Sequence, residues 1–119
     1  MAANWRYFTR QELLSSGGVL QTLPPELEDN LLLLGNALDK FRAAWGHPIY
    51  ITSGYRTPER NAAVGGVPNS LHTKALAADC YSDPFDSFVD FCLKEWAGGV
   101  GVYSNFVHLD LGMYRRWRA

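Results

Sequence analysis

The run Val100-Gly101-Val102-Tyr103-Ser104-Asn105-Phe106-Val107-His108-Leu109-Asp110-Leu111 decides how this chain reads. Val100 to Tyr103 and Phe106 to Leu111 are rich in β-branched and aromatic residues, and only two polar residues separate them. That pattern predicts two strands joined by a tight antiparallel turn. Alternation with period two puts Phe106, His108 and Asp110 on one face of the second strand, and Val107, Leu109 and Leu111 on the other. One face therefore carries an imidazole and a carboxylate two residues apart. A half-buried strand must satisfy both groups, and a divalent cation does so, because neutral imidazole and carboxylate are both zinc ligands.

Working back from that hairpin, Gly98-Gly99 stops a helix that starts at Asp83-Pro84 and places Phe85, Phe88, Val89, Cys92 and Trp96 on one side. Leu76 to Tyr81 reads as a strand, and Pro68 to Lys74 as an irregular loop. Thr57-Pro58-Glu59 supplies an N-cap, a first-turn proline and a first-turn acid for a short helix ending at Val64-Gly65-Gly66. Ile49 to Thr52 reads as a strand closed by Ser53-Gly54. Before it, Pro24-Pro25 opens the main core helix, with Leu27, Leu31, Leu34, Leu38, Phe41 and Trp45 at steps of four and three, ending near Gly46. Thr9-Arg10-Gln11-Glu12 has capping-box spacing and predicts a short helix stopped by Gly17-Gly18. Helices come first and then strands interleaved with helices. The expectation is an α+β fold, a single compact domain over residues 1–119, with a small mostly antiparallel sheet and helices packed around it.

Composition narrows the function. Apolar residues make up 47% of the 119, with four Trp, six Tyr and six Phe, which is the make-up of a folded globular chain. The net charge of −1 offers no broad positive field, so no nucleic-acid partner is expected. The longest aliphatic run, Leu31 to Leu34, is far below the roughly 18 residues that span a bilayer, and MAANWRYFTRQE has no basic stretch followed by an apolar one. Neither a membrane partner nor a signal peptide is expected, and the chain is expected to be a monomer. Cys80 and Cys92 lack metal-pair spacing and read as buried or free thiols. Arg115-Arg116-Trp117-Arg118 reads as a solvated end with Trp117 packed down.

Only three histidines occur. His47, beside Pro48, fits the end of the core helix, where its charge complements the macrodipole. His72 sits in a polar loop just before the strand carrying Asp79. Spacing alone leaves His72, Asp79 and His108 open between a metal site and ordinary hydrogen-bonded groups.

Taken together, Ser53-Gly54-Tyr55-Arg56-Thr57-Pro58, Asn61, Val64-Gly65-Gly66, Ser70-Leu71-His72, Ala77-Ala78-Asp79, Gly99 to Tyr103 and Phe106 to Asp110 resemble the M15 zinc peptidases. These comprise D-alanyl-D-alanine carboxypeptidases and phage L-alanyl-D-glutamate endolysins, and the resemblance spans residues 6 to 117. It implies a Hedgehog/DD-peptidase-like fold and Zn2+ held by His72, Asp79 and His108 with a fourth position open. It also implies an Arg56 guanidinium beside the scissile carbonyl or a peptide carboxylate, with Ser70 and Asn61 among the substrate-binding residues. The implied substrate is the stem peptide of bacterial peptidoglycan. The implied setting is a phage lysis protein passing from host cytoplasm to the cell wall, or a virion-associated peptidase.

Two positions depart from the family pattern. Many members carry Glu or Asp three residues before the last histidine as general base, and here that residue is Asn105, which cannot accept a proton. Asp110 is then the candidate base, or else a carboxylate that orients an imidazole. The usual glycine three residues after the first histidine is Ala75, which is strained if its φ is positive. The alternative function is a catalytically inactive zinc-binding wall or virion module of the same fold.

Overall fold

Thr9 accepts a hydrogen bond from the Glu12 N–H at 3.2 Å, and a Glu12 carboxylate oxygen accepts from the Thr9 N–H at 2.9 Å, so the expected capping box opens α1 (Arg10–Leu13). The computed structural model describes residues 5–119; Met1–Asn4, where the reading of a leaderless start begins, lie outside the described residues. Helix α1 stops short of Gly17-Gly18. Those glycines, at φ of 57° and 82°, instead turn a small hairpin between β1 (Ser15–Ser16) and β2 (Val19–Leu20).

Pro25–Leu27 makes one 3-10 turn, and α2 (Glu28–Trp45) runs from there to Gly46, which takes a left-handed φ of 85° that favours glycine. Leu31, Leu34, Leu38 and Phe41 are buried, as their spacing requires. After β3 (Tyr50–Ser53), the Thr57 hydroxyl accepts from the Arg60 N–H to cap α3 (Pro58–Ala63), and a second 3-10 turn covers Leu71–Lys74. Helix α4 (Phe85–Glu95) follows β4 (Ala77–Tyr81) and contributes Phe88, Val89 and Cys92 to the same core as α2. Burying a Leu or Phe side chain contributes about 1.5–3 kcal/mol, so these two stripes fix how α2 and α4 sit on the sheet.

The last strands are β5 (Gly99–Val102), β6 (Val107–Asp110) and β7 (Arg115–Arg118), and the sheet order is β2-β1-β3-β4-β6-β5-β7. The α+β class holds, but the sheet expected to be mostly antiparallel is mixed, because β7 runs parallel to β5. Both edges of β6 are taken, by β4 and β5, so the chain reversing after β6 finds its open place on the far side of β5. Residues 115–118, read as a solvated end with Trp117 packed down, do expose Arg115 and Arg118 and half-bury Trp117, but they also form a strand. Arg116 donates to the carbonyls of Leu93, Trp96 and Gly98 around the end of α4 and thereby anchors β7.

Register separates the two faces of the sheet. Ala78, Leu109 and Val100 stand in one row and Cys80, Val107 and Val102 in another, all within the core cluster. The alternate row sets Asp79 opposite His108, His108 opposite Gly101, and Gly101 opposite Trp117. The chemistry lies on that second face.

Candidate metal centre

One ligand atom from each of His72, Asp79 and His108 falls within 4.8 Å of the others. Antiparallel pairing of β4 with β6 puts Asp79 beside His108, and the 3-10 turn before β4 brings in His72. His72 Nε2 and His108 Nδ1 each lie 3.2 Å from Asp79 Oδ1. The opposite nitrogens are committed elsewhere: His72 Nδ1–H donates to the Gly54 carbonyl at 2.8 Å, and His108 Nε2–H to Asp110 Oδ2 at 2.7 Å. A neutral ring that donates from one nitrogen offers a lone pair at the other. Two imidazole lone pairs and a carboxylate oxygen therefore face one point, a donor set that a divalent cation such as Zn2+ satisfies. Burial opposes charge on His108, but its hydrogen bonds to Asp110 and Asp79 outweigh that and raise its pKa.

Each residue of Ser53-Gly54-Tyr55-Arg56 has a task around this point. The Ser53 hydroxyl accepts from Arg56 Nε at 3.2 Å, Gly54 supplies the carbonyl under His72, and Tyr55 is buried in the core. Arg56 N–H donates to the His72 carbonyl at 3.0 Å, while its guanidinium reaches Asn61 Oδ1 and Asp79 Oδ2, both at 3.2 Å. Three of its five guanidinium N–H groups thus have partners among the described residues, and Arg56 also lines the cleft. Burial by itself would raise the pKa of the Asp79 carboxyl, but the polar contacts with the His108 and His72 rings more than offset it and hold it well below the usual carboxylate range.

A model of the family described as Peptidase M15 matches residues 6–110. The chain belongs to the M15 peptidase family. It is 33% identical over 107 residues to the peptidoglycan L,D-endopeptidase MepK of Escherichia coli strains K12 and O157:H7 and of Shigella flexneri. The alignment covers 82% of this chain and 56% of each relative, so the chain spans just over half the length of the curated relatives it matches.

In this M15 chain Asp110 lies on the far side of the His108 ring from Asp79. Its oxygens accept from His108, from the N–H groups of Gly99 and Gly112, and from Arg115. Burial pushes its pKa up, but the bonds from His108, Arg115 and the Gly112 N–H prevail and keep it well below the usual range. The Ser70 hydroxyl accepts from the His72 N–H at 3.2 Å, capping the turn that presents the ring, and Ser70 lines the cleft. Asn61 is 4% exposed, and its amide is divided between Arg56 and the Val67 carbonyl. Asn105 is exposed at the turn between β5 and β6. Ala75 takes φ 58°, ψ 34°, so the strained alternative raised by its departure from glycine is the one adopted.

The M15 cleft has a volume of about 390 Å³, and its lining includes Ser70, Leu71, Tyr103, Phe106, Arg115 and Trp117. Sequence reasoning missed Arg115 and Trp117. Their i, i+2 spacing after Gly112 is a strand-like signal, obscured because three arginines in four residues also read as a solvated tail.

Proposed function

We propose that this chain is a zinc-dependent peptidase that hydrolyses the peptide stem of bacterial peptidoglycan. The observation that carries the reading is the convergence of the inward-facing His72, Asp79 and His108 atoms beside an open cleft. Family membership and the peptidoglycan L,D-endopeptidase activity of the MepK relatives support the substrate, and that activity favours endopeptidase cleavage over removal of a terminal D-alanine.

Bound at this centre, Zn2+ would supply a Lewis acid for the scissile carbonyl and a water with its pKa lowered to about 7. His72, Asp79 and His108 would hold the ion, three protein ligands beside an open cleft. Arg56 directs its two remaining N–H groups at the oxygen on which charge develops, or at a carboxylate of the stem. Ser53 and Asn61 aim Arg56, and Ser70 hydrogen-bonds the peptide. Asp110 orients His108 and does not take up a proton itself: the imidazole stands between it and Asp79, and its oxygens are already occupied by donors. The resemblance also implies a phage lysis or virion-associated setting.

A second reading, a zinc-binding wall module without catalysis, is favoured by Asn105 and by the fact that Asp79 and Asp110 are the only carboxylates lining the cleft among the described residues. Mass spectrometry of pentapeptide muropeptides incubated with zinc-loaded chain, beside His108→Ala, separates the two. Release of the peptide after L-alanine establishes the endopeptidase, and loss of a single alanine the carboxypeptidase. No product from zinc-bound chain favours the silent module.

A further inference from the structure

Strand β7 lies beyond the segment matched by the family model, yet Arg115 and Trp117 both line the cleft. We propose that β7 completes the metal centre, with Arg115 as a positioning residue that acts through Asp110 on His108. The inference rests on His108 being a metal ligand, as proposed above, and extends that site to a strand that contributes no ligand.

The argument starts from register. On the functional face Asp110 pairs with Gly99 and Gly99 with Arg115; two residues along, His108 pairs with Gly101 and Gly101 with Trp117. The middle strand β5 is glycine at both positions, and this lets side chains from β7 cross it to reach β6. A Cβ at Gly99 would lie 2.5 Å from Asp110 Oδ1 and 2.9 Å from Arg115 Nη1, and one at Gly101 would overlap the Trp117 indole. Two alternate glycines on one strand thus form a saddle under a continuous line of contacts.

Across that saddle Arg115 Nη2 donates to Asp110 Oδ2 at 2.7 Å and Nη1 to Oδ1 at 3.3 Å, a forked grip that a single ammonium cannot reproduce. The Met113 carbonyl holds Nη1 at 2.9 Å. The same Oδ2 accepts from His108 Nε2, so the fork sets where the His108 proton points and leaves Nδ1 aimed at Asp79. The Trp117 ring lies 5.3 Å from the His108 ring, tilted by 48°, and donates Nε1–H to the Tyr103 hydroxyl at 3.3 Å. The indole therefore backs one face of the imidazole while Asp110 holds its edge. The Arg115 side chain is 43% exposed, so as an ion pair alone it contributes little to stability; its contribution is orientation.

The test is Zn2+ affinity by competition with a chromophoric chelator, together with the visible spectrum of the Co2+-loaded full chain. It compares native protein with Arg115→Met, Arg115→Lys, Asp110→Asn and the Arg115→Met/Asp110→Asn double variant. Arg115→Met is expected to weaken Zn2+ binding by at least about threefold and by no more than Asp110→Asn, whose loss of the group bonded to a ligand is worth about 10- to 100-fold, and to shift the Co2+ absorption. Arg115→Lys recovers part of both and keeps the test open where the methionine variant does not fold. The double variant binds Zn2+ no more weakly than Asp110→Asn, because Arg115 reaches the ion only through Asp110. Zn2+ affinity of Arg115→Met within twofold of native, an unshifted Co2+ spectrum, or losses that multiply in the double variant would overturn the proposal. A native chain that binds no Zn2+ overturns the metal reading and this inference together; native binding with an unaffected Arg115→Met overturns this inference alone.

Discussion

The Gly54 carbonyl lies 2.8 Å from His72 Nδ1. A carbonyl oxygen can only accept, so Nδ1 carries the proton and Nε2 is the nitrogen that faces Asp79. A backbone atom thus selects the tautomer that a metal requires. Glycine is needed there for a separate reason: a Cβ at position 54 would collide with the Leu13 carbonyl, and the chain passes that close because Tyr55 N–H donates to the same oxygen at 2.8 Å.

Metal loading should stabilise the native chain by mass action. At 100-fold excess over the dissociation constant Zn2+ adds about 2.7 kcal/mol, and a chelator removes it. Calorimetry should show the melting temperature rising with Zn2+ for the native chain and staying flat for His72→Ala and His108→Ala. A His108→Ala chain that responds as the native one does would take His108 out of the ligand set.

Arg56 divides its donors among Ser53, Asn61 and Asp79, a geometry that lysine cannot match. Arg56→Lys should lower kcat/KM on muropeptides about 10- to 100-fold, and Arg56→Met by about 100-fold or more, on the scale of losing an oxyanion donor. Steady-state product release measures both. Native-like turnover by the methionine variant would leave Arg56 a purely structural role.

Ala75 holds a left-handed backbone that costs an L-residue roughly 1–2 kcal/mol, yet its methyl is fully buried. Ala75→Gly relieves the first and forfeits about 0.8 kcal/mol of the second, so denaturant midpoints should place it within about 1 kcal/mol of native. Ala78→Gly, in extended backbone on the core face, gains no such relief and should lose about 1–2 kcal/mol. Equal losses at the two positions would contradict strain at Ala75.

Cys80 and Cys92 are buried free thiols, and burial raises both pKa values. With the folded pKa above the unfolded one, their contribution to stability is complete below the ordinary thiol range of about 8.5 and is lost as pH rises beyond it. Urea unfolding should show stability declining from about pH 9 upward. In the native chain at pH 8 a thiol reagent should label neither cysteine, and under denaturant both; rapid native labelling would show that the core opens there.

Much of this was legible in local pattern. The caps at Thr9 and Thr57 follow from a hydroxyl three residues before the N–H it accepts from, and the α2 stripe from Leu31 to Phe41 and the shared face of His108 and Asp110 from periods of 3.6 and two, all of which neighbouring residues set by themselves. Asn61 illustrates the limit. The motif brought it in as a substrate contact, and the fold buries it under Arg56, a relation five residues apart that depends on how the loop to Val67 closes.

What the sequence by itself determined is the set of elements and the chemistry of the groups they carry: two imidazoles and a carboxylate at positions where strand alternation and loop capping keep them out of the apolar stripes. Tertiary structure alone decided which nitrogen of each ring faces inward, that Asp110 stands behind His108, and that residues 115–118 form a strand parallel to β5. The reason is physical. Alternation assigns a side chain to a face, but the partner across that face depends on which strand edge is open, and here β4 and β5 occupy both edges of β6, so the last strand pairs at the free edge of β5.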